Sequence, residues 1–356
     1  MEKMPTIGSR MEEQACKHGV VKGELCDACE LEKQPSWNTI ENLRKKSHFK
    51  RSNEVFPNCF IEIENKKFKI EIIENGKDPS LSDVQALFEN TFGKEEVDPE
   101  EILRSAVDGI TPWETEDTKY RVVTIRDDEG KLVTTVAGAS LDLFDEKGEP
   151  TGECAYYVGY AVTDPNTRQG GLAREAYISA LLDVAREAQK KNKVLKFAVG
   201  ECTYTSEKFW NNVGWKRVYA QTGDKREYTE LKYIQPALEF DEDTGEIAEG
   251  SGEAPEHLMI DAFGPKTPGK EDVMRAYESL IYFCNDWPRE AFNNDRAEKK
   301  KTEYLNGIKT NFKDFMDSNG QLIYLDADNR EKAVKEGVAV IGYTEADRGQ
   351  AGEEDF

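Results

Sequence analysis

The amino-acid sequence predicts a mixed α/β (α+β) protein whose central sheet is largely antiparallel and flanked by helices. Two observations carry this. Over residues 60–235, apolar residues recur with period two in some segments and at helical spacing in others, in the order β, α, α, β, β, β, α, β, α, β, β. Some strand-like segments follow one another across tight polar turns, as at Asp127-Asp-Glu-Gly130, and only antiparallel neighbours can be joined so briefly. A third observation limits how far one unit extends: the chain has 356 residues, more than a single compact domain usually holds.

Taken in order, Phe60 to Ile73 alternates apolar and polar residues around Glu64-Asn-Lys-Lys67 and reads as a hairpin. Ser80-Leu-Ser-Asp83 opens an amphipathic helix to about Phe92, with Ser80 or Ser82 expected as its cap. Asp98-Pro-Glu-Glu101 opens a second, with Pro99 where a missing N–H costs nothing. Tyr120–Arg126, Leu132–Leu143 and Cys154–Val162 are rich in Val, Tyr, Thr and Ala and read as strands. Leu172 to about Lys190 has one apolar side and reads as a long helix. Val194–Val199 is a further strand, and Ser206–Val213 a short helix ending at Gly214. Trp215–Tyr219 and Glu227–Ile234 close the series as two strands joined at Thr222-Gly-Asp224.

Charge divides the rest of the chain. Asp and Glu number 70 against 48 Lys and Arg, a net of −22, which disfavours whole-surface binding to nucleic acid or anionic membrane and favours cationic partners. Residues 236–268 hold one lysine and nine acidic residues among Gly and Pro, so they are expected to be an acidic linker, with a short strand at His257-Leu-Met-Ile260. Residues 269–356 read as a mainly helical C-terminal domain: helices from about Lys270 to Asp286 and Arg289 to Phe315, broken by Pro288, then a strand at Gln321–Leu325. Residues 1–59 stand apart as a cysteine-bearing segment and a basic linker. No apolar run approaches the ~20 residues of a membrane span. The N-terminus has no apolar secretory stretch, and the seven cysteines form no disulfide ladder, so a reducing, cytoplasmic setting is expected.

The junction Tyr160-Ala-Val-Thr-Asp-Pro-Asn-Thr-Arg-Gln-Gly-Gly-Leu-Ala173 carries the strongest chemical signal. A strand ends, two glycines follow, and a long helix begins. A helix N-terminus offers unpaired N–H groups and partial positive charge, which suits a phosphate. Gly170 and Gly171 allow close backbone approach, and Arg168 adds a fixed cation.

This segment resembles the acetyl-CoA-binding motif of the GNAT (Gcn5-related N-acetyltransferase) superfamily, Arg/Gln-x-x-Gly-x-Gly/Ala, present here as Arg168-Gln169-Gly170-Gly171-Leu172-Ala173. Phe209-Trp-Asn-Asn-Val-Gly-Trp215 is similar to the aromatic–x–x–x–Gly–Phe ending of the family's fourth helix. The resemblance covers residues 60–235 and implies a GNAT-like fold, acetyl-CoA as cosubstrate and an amine as acceptor. It implies that the backbone of Tyr160, Ala161 and Val162 pairs with the pantetheine arm, that an N–H near Val162 faces the thioester oxygen, and that the Arg168–Ala173 loop takes the pyrophosphate. The tyrosine that many members use to protonate the departing thiolate aligns with Trp210, whose indole is no useful acid; Tyr204 and Tyr219 are the nearby alternatives. Amine attack also needs a base. Glu201, just after the Val194–Val199 strand, is the first candidate and Glu153 the second, while Tyr156 and Tyr157 either line the same cleft or belong to the core.

Cys16-Lys-His18 and Cys26-Asp-Ala-Cys29 supply three thiols and an imidazole, the donor set of a closed, structural tetrahedral zinc site. Arg44-Lys-Lys-Ser-His-Phe-Lys-Arg51 is the one dense basic run. It is read as a solvated linker or as pairing with the protein's own acidic residues in preference to a nucleic-acid contact. Two functions are open at this point. One is N-acetyl transfer from acetyl-CoA to a primary amine, on a small cationic molecule or a protein. The other is a non-catalytic GNAT-fold scaffold that binds a partner through the zinc hook and the C-terminal helices.

Overall fold

A computed structural model describes residues 35–47, 59–63, 65–94, 97–109, 120–145, 149–167, 170–202, 206–222, 226–237, 240–248, 254–263, 267–285, 294–318 and 320–342. Its strands are β1 (Cys59–Ile63), β2 (Lys66–Ile73), β3 (Tyr120–Arg126), β4 (Leu132–Phe144), β5 (Pro150–Thr163), β6 (Val194–Cys202), β7 (Lys216–Thr222), β8 (Glu227–Glu230), β9 (Lys232–Gln235), β10 (Ala254–Ala262), β11 (Leu322–Leu325) and β12 (Ala339–Ile341). The helices are α1 (Pro35–Lys46), α2 (Ser80–Phe92), α3 (Glu100–Asp108), α4 (Leu172–Lys190), α5 (Glu207–Val213), α6 (Lys270–Asn285), α7 (Asp295–Ser318) and α8 (Ala327–Lys335).

The described strands form one twelve-stranded sheet, ordered β1-β2-β3-β4-β5-β6-β10-β7-β8-β12, with β11 beside β7 and β9 beside β10. All neighbours are antiparallel except β5–β6 and β12–β8. Alternation along each strand puts side chains on two faces, and both are buried. On one face α2, α3, α6 and α7 pack over Val122, Tyr157, Phe197 and Val199. On the other, α1, α4 and α5 pack over Val123, Tyr156, Ala198 and Met259.

The expected order of elements over 60–235 is present, with two local differences there and one in the C-terminal helices. Neither Ser80 nor Ser82 caps α2: the residue before the helix is Pro79, Asp78 Oδ1 accepts from Ser80 N at 2.8 Å, and the Ser82 hydroxyl donates to Glu100 at 2.8 Å. The single strand expected at Glu227–Ile234 is two, because β8 pairs with β7 and β9 with β10. Helix α7 begins at Asp295, where Asn294 Oδ1 accepts from Ala297 N at 3.0 Å and so acts as its cap.

The larger difference lies downstream. Within residues 236–268, expected as an acidic linker with a short strand at His257-Leu-Met-Ile260, that strand is present and longer, as β10, and it is inserted between β6 and β7. Its apolar residues Leu258, Met259 and Ile260 are all buried. The C-terminal residues likewise add β11 and β12 to the same sheet. They are fastened by a buried ionic network. Glu207 pairs with both Arg217 and Arg330, Arg217 lies 3.4 Å from Glu230, and His257 Nδ1 lies 2.7 Å from the other oxygen of Glu230. Among the described residues no helix is long and apolar enough to cross a membrane.

Candidate active site

The parallel pair β5–β6 is where the sheet opens. Its register runs from Glu153↔Val194 to Tyr157↔Val199 and stops. Beyond that, β5 continues along β4 to Thr163, and β6 continues along β10 to Cys202. The two strands therefore follow different partners and diverge, leaving the β6-facing edge of Val158–Thr163 with no strand beside it among the described residues.

A bulge in β5 accompanies the divergence. Gly138 pairs with Val158 and Ala137 with Tyr160, so Gly159 is the extra residue. Backbones approach closely here: a Cβ on Gly138 would lie 2.0 Å from the Tyr157 carbonyl oxygen, and one on Gly159 would lie 2.1 Å from the Tyr120 hydroxyl. The extra residue also resets the alternation. Tyr157 and Tyr160, three apart, both join the face covered by α2 and α6. Tyr160 stacks on Phe88 of α2 with ring centroids 4.5 Å apart, so its side chain anchors α2 and only its backbone is left to face the opening.

At the far end of β5 the chain turns into α4. Asp164 stabilises the turn by accepting from Lys131 Nζ at 2.6 Å and Asn166 N at 2.8 Å; the Lys131 hydrogen bond leads in holding its carboxyl below the usual range. Gly170 and Gly171 then adopt φ of 83° and 79°, a left-handed conformation other residues rarely take. Both are exposed, and Gly171 precedes α4 with no side-chain cap among the described residues, which leaves the N–H groups of the first turn for another partner. Leu172 is buried in the core and Ala173 half-buried, so these two offer backbone to the loop. Arg168 and Gln169 lie outside the described residues.

Helix α1 braces this turn. Lys46 O accepts from Arg174 Nη2 at 3.0 Å, Ser47 Oγ donates to Glu175 Oε2 at 2.8 Å, and Lys46 Nζ lies 2.6 Å from buried Asp261. Of the basic run Arg44–Arg51, residues 44–47 are described, and Arg44 and Lys46 pair with this protein's own Glu41 and Asp261.

Glu201 stands on the β6 limb, two residues past the last paired position. Its Oε1 accepts from the Tyr157 hydroxyl at 2.8 Å, a bond that spans the apex of the opening. The residue is half-buried, but Oε2 is fully buried and has no donor at good geometry among the described residues. Burial pushes its carboxyl up to about 7, against the lowering effect of the Tyr157 and Tyr233 hydroxyls.

The other candidates lie elsewhere. Glu153 is four residues before the apex, about 13 Å along the strand, and is 2.8 Å from Lys196, which also holds Asp272 at 2.7 Å. It is a structural ion pair and is withdrawn as a candidate base. Tyr219 is 1% exposed and belongs with Arg330 and Glu230; burial leads in pushing its hydroxyl up to about 12, so it too is withdrawn as an acid. Tyr156 is wholly buried on the opposite face from Tyr157. Trp210 packs with Trp215 at 4.5 Å and Tyr177 at 6.0 Å and is a core residue. Cys202 is buried and its thiol is pushed up by desolvation, which keeps it protonated. Tyr204 lies outside the described residues, as do Cys16, His18, Cys26 and Cys29; among the described residues no three His, Cys, Asp or Glu side chains gather as a metal site.

Neither the role of Tyr233 nor the Tyr157 hydrogen bond is apparent from the residues alone. An isolated glycine in a strand pattern, as at Gly159, is the signal that points to the bulge.

No protein-family profile matches the chain, and no curated protein matches it. Solved structures similar to it include acetyltransferases. One is an aminoglycoside acetyltransferase from an uncultured soil metagenomic sample, crystallised with trehalose: 14% identity over 41% of this chain and 86% of that one, TM-score 0.31. A GNAT family N-acetyltransferase (YhbS) from Escherichia coli, in complex with CoA, is 13% identical over 55% of this chain and 81% of that one, TM-score 0.31. Tetrahymena GCN5 is 12% identical over 56% of this chain and 98% of that one, TM-score 0.29.

Proposed function

We propose that this chain is a GNAT-type N-acetyltransferase that moves an acetyl group from acetyl-CoA to a primary amine by direct attack on the thioester. The observation that carries the reading is the divergence of β5 and β6, with Glu201 on one limb and the uncapped Gly170–Gly171 turn at the end of the other. An open strand edge can hydrogen-bond a pantetheine arm as a sheet strand would. Tyr160, Ala161 and Val162 supply that edge, and an N–H near Val162 supports the carbonyl oxygen as charge develops. Gly170, Gly171, Leu172 and Ala173 present N–H groups to the pyrophosphate, joined by Arg168 and Gln169.

Glu201 is the base. A carboxyl near 7 is half-ionised at neutral pH and can take a proton from an ammonium, which has no lone pair until it loses one. Tyr204 is the candidate acid for the leaving thiolate. The acceptor is cationic, in keeping with a chain of net charge −22. The catalytic unit spans residues 60–235 and is completed by β10, with α6 and α7 packed on the face of its sheet that carries Tyr157. Cys16, His18, Cys26 and Cys29 suit a structural zinc ion by donor set. A cytoplasmic setting fits the buried thiols Cys59, Cys154 and Cys202, none of which is in a disulfide.

Trp210 favours the scaffold as the second reading, since a core indole stands where the family's acid would be. Thiol release from acetyl-CoA over a broad amine panel separates the two: turnover supports the enzyme, whereas acetyl-CoA binding without turnover on any amine supports the scaffold. Binding itself is tested by calorimetry on Gly171→Glu, which puts bulk and negative charge at the pyrophosphate; unchanged affinity would remove the loop assignment.

A further inference from the structure

Resting on the acetyltransferase reading, we propose that Tyr157 is a positioning residue for Glu201. It holds the carboxylate by Oε1 at the apex of the β5–β6 opening, so that Oε2 is the atom that receives the acceptor's proton.

The geometry is specific. Tyr157 is the last β5 residue paired with β6, and it is 5% exposed among the side chains of the α2/α6 face. Its ring is therefore fixed by packing, and its hydroxyl reaches Oε1 at 2.8 Å, across the point where the strands part. A carboxylate held by one oxygen has one orientation left. Here that orientation leaves Oε2 buried without a well-formed hydrogen bond among the described residues, although the Tyr233 hydroxyl also acts on this carboxyl. Buried acceptors in that state are rare and call for a partner. An ammonium entering the opening is a donor of the right charge. The two acidic residues nearest in role differ on this point, since Glu153 already has the Lys196 ammonium.

In the transfer, the acceptor ammonium gives one proton to Oε2, and the freed nitrogen lone pair forms the C–N bond to the acetyl carbon. The C–S bond breaks with its electron pair on the CoA sulfur. The proton lost from nitrogen as the amide forms balances the one that the thiolate takes up, and Oε2 later releases its own proton to solvent.

Tyr157→Phe keeps the ring and removes only the hydroxyl. Two readouts on the full chain test it. Carboxyl NMR of protein labelled at glutamate, with Glu201→Gln to assign the signal, follows Glu201 directly. The pH dependence of kcat/KM, with acetyl-CoA and 1,4-diaminobutane or Nα-acetyl-lysine methyl ester, follows it in turnover. The hydroxyl lowers the Glu201 pKa, so its loss raises it. In Tyr157→Phe the carboxyl titration and the acid limb should both move to higher pH, with kcat/KM about three- to tenfold down at pH 7 and recovered above pH 9. A structural defect would not recover with pH. Tyr233→Phe is an independent variant in the same direction, and acetyl-CoA affinity checks that each variant is folded. Turnover by wild type with the acid limb unmoved in Tyr157→Phe would overturn this proposal alone. No turnover by wild type on any amine would overturn the reading beneath it.

Discussion

The two ends of the β5–β6 pair carry a glutamate each, and they differ in what surrounds the charge. At the zipped end, Glu153 is 2.8 Å from the Lys196 ammonium, which bridges to Asp272 of α6. At the open end, Glu201 has a phenol at 2.8 Å, no ion pair among the described residues, and a carboxyl pushed up to about 7. Where strands stay paired, a cation neutralises the carboxylate and the residue holds structure together. Where they part, the charge is left to burial and a hydroxyl, and the group becomes one that changes protonation near neutrality.

The largest effect expected from this contrast is on turnover. Glu201→Gln should lower kcat/KM by about 10²–10⁴-fold, the usual worth of a positioned base, while Glu153→Gln should stay within about threefold; steady-state thiol release measures both. Equal losses would erase the distinction. Next in size is the other limb, where Gly171→Glu should weaken acetyl-CoA binding by about 100-fold or more, roughly 3 kcal/mol, read by calorimetry.

The bulge that accompanies the opening should be sensitive to its close backbone approach. Gly138→Ala places a Cβ 2.0 Å from the Tyr157 carbonyl oxygen, and chemical denaturation should show a loss of about 1–3 kcal/mol.

A smaller effect sharpens the comparison through pH. Glu201 has a folded value near 7 against an ordinary 4.5, so the folded state binds the extra proton between them. Its contribution is fully present below 4.5 and is lost as pH rises through 7. Glu201→Gln should therefore be more stable than wild type at pH 8, on the order of 1–3 kcal/mol, relative to their difference at pH 4. Smallest is the zipped end: Lys196→Met should cost about 1 kcal/mol or less, because its ammonium is a quarter exposed.

Much of this contrast is legible in the amino-acid sequence. Period-two runs and the Gly170–Gly171 start of α4 are local patterns, and counting along β6 places Glu201 beyond its strand-forming run. Pairing is not legible, because it joins distant residues. The Tyr157–Glu201 bond spans 44 positions and depends on where β5 and β6 stop pairing. Strand β10 is legible only in part: Leu258, Met259 and Ile260 mark a short strand inside a strongly acidic stretch, but its place in the sheet depends on the distant edges of β6 and β7. The proline at position 79 and Asp78 displace the expected serine cap of α2, a choice among adjacent polar residues that propensity alone does not make.

The central claim, that the open end of β5–β6 is an acetyl-transfer centre worked by Glu201, is tested most directly by one measurement. Initial rates of thiol release from acetyl-CoA with a primary amine are followed from pH 5.5 to 9 in wild type and Glu201→Gln. The wild-type rate should rise with an apparent pKa near 7, and the Glu201→Gln rate should be low with that limb gone. A Glu201→Gln enzyme that keeps both the rate and the limb would contradict the claim.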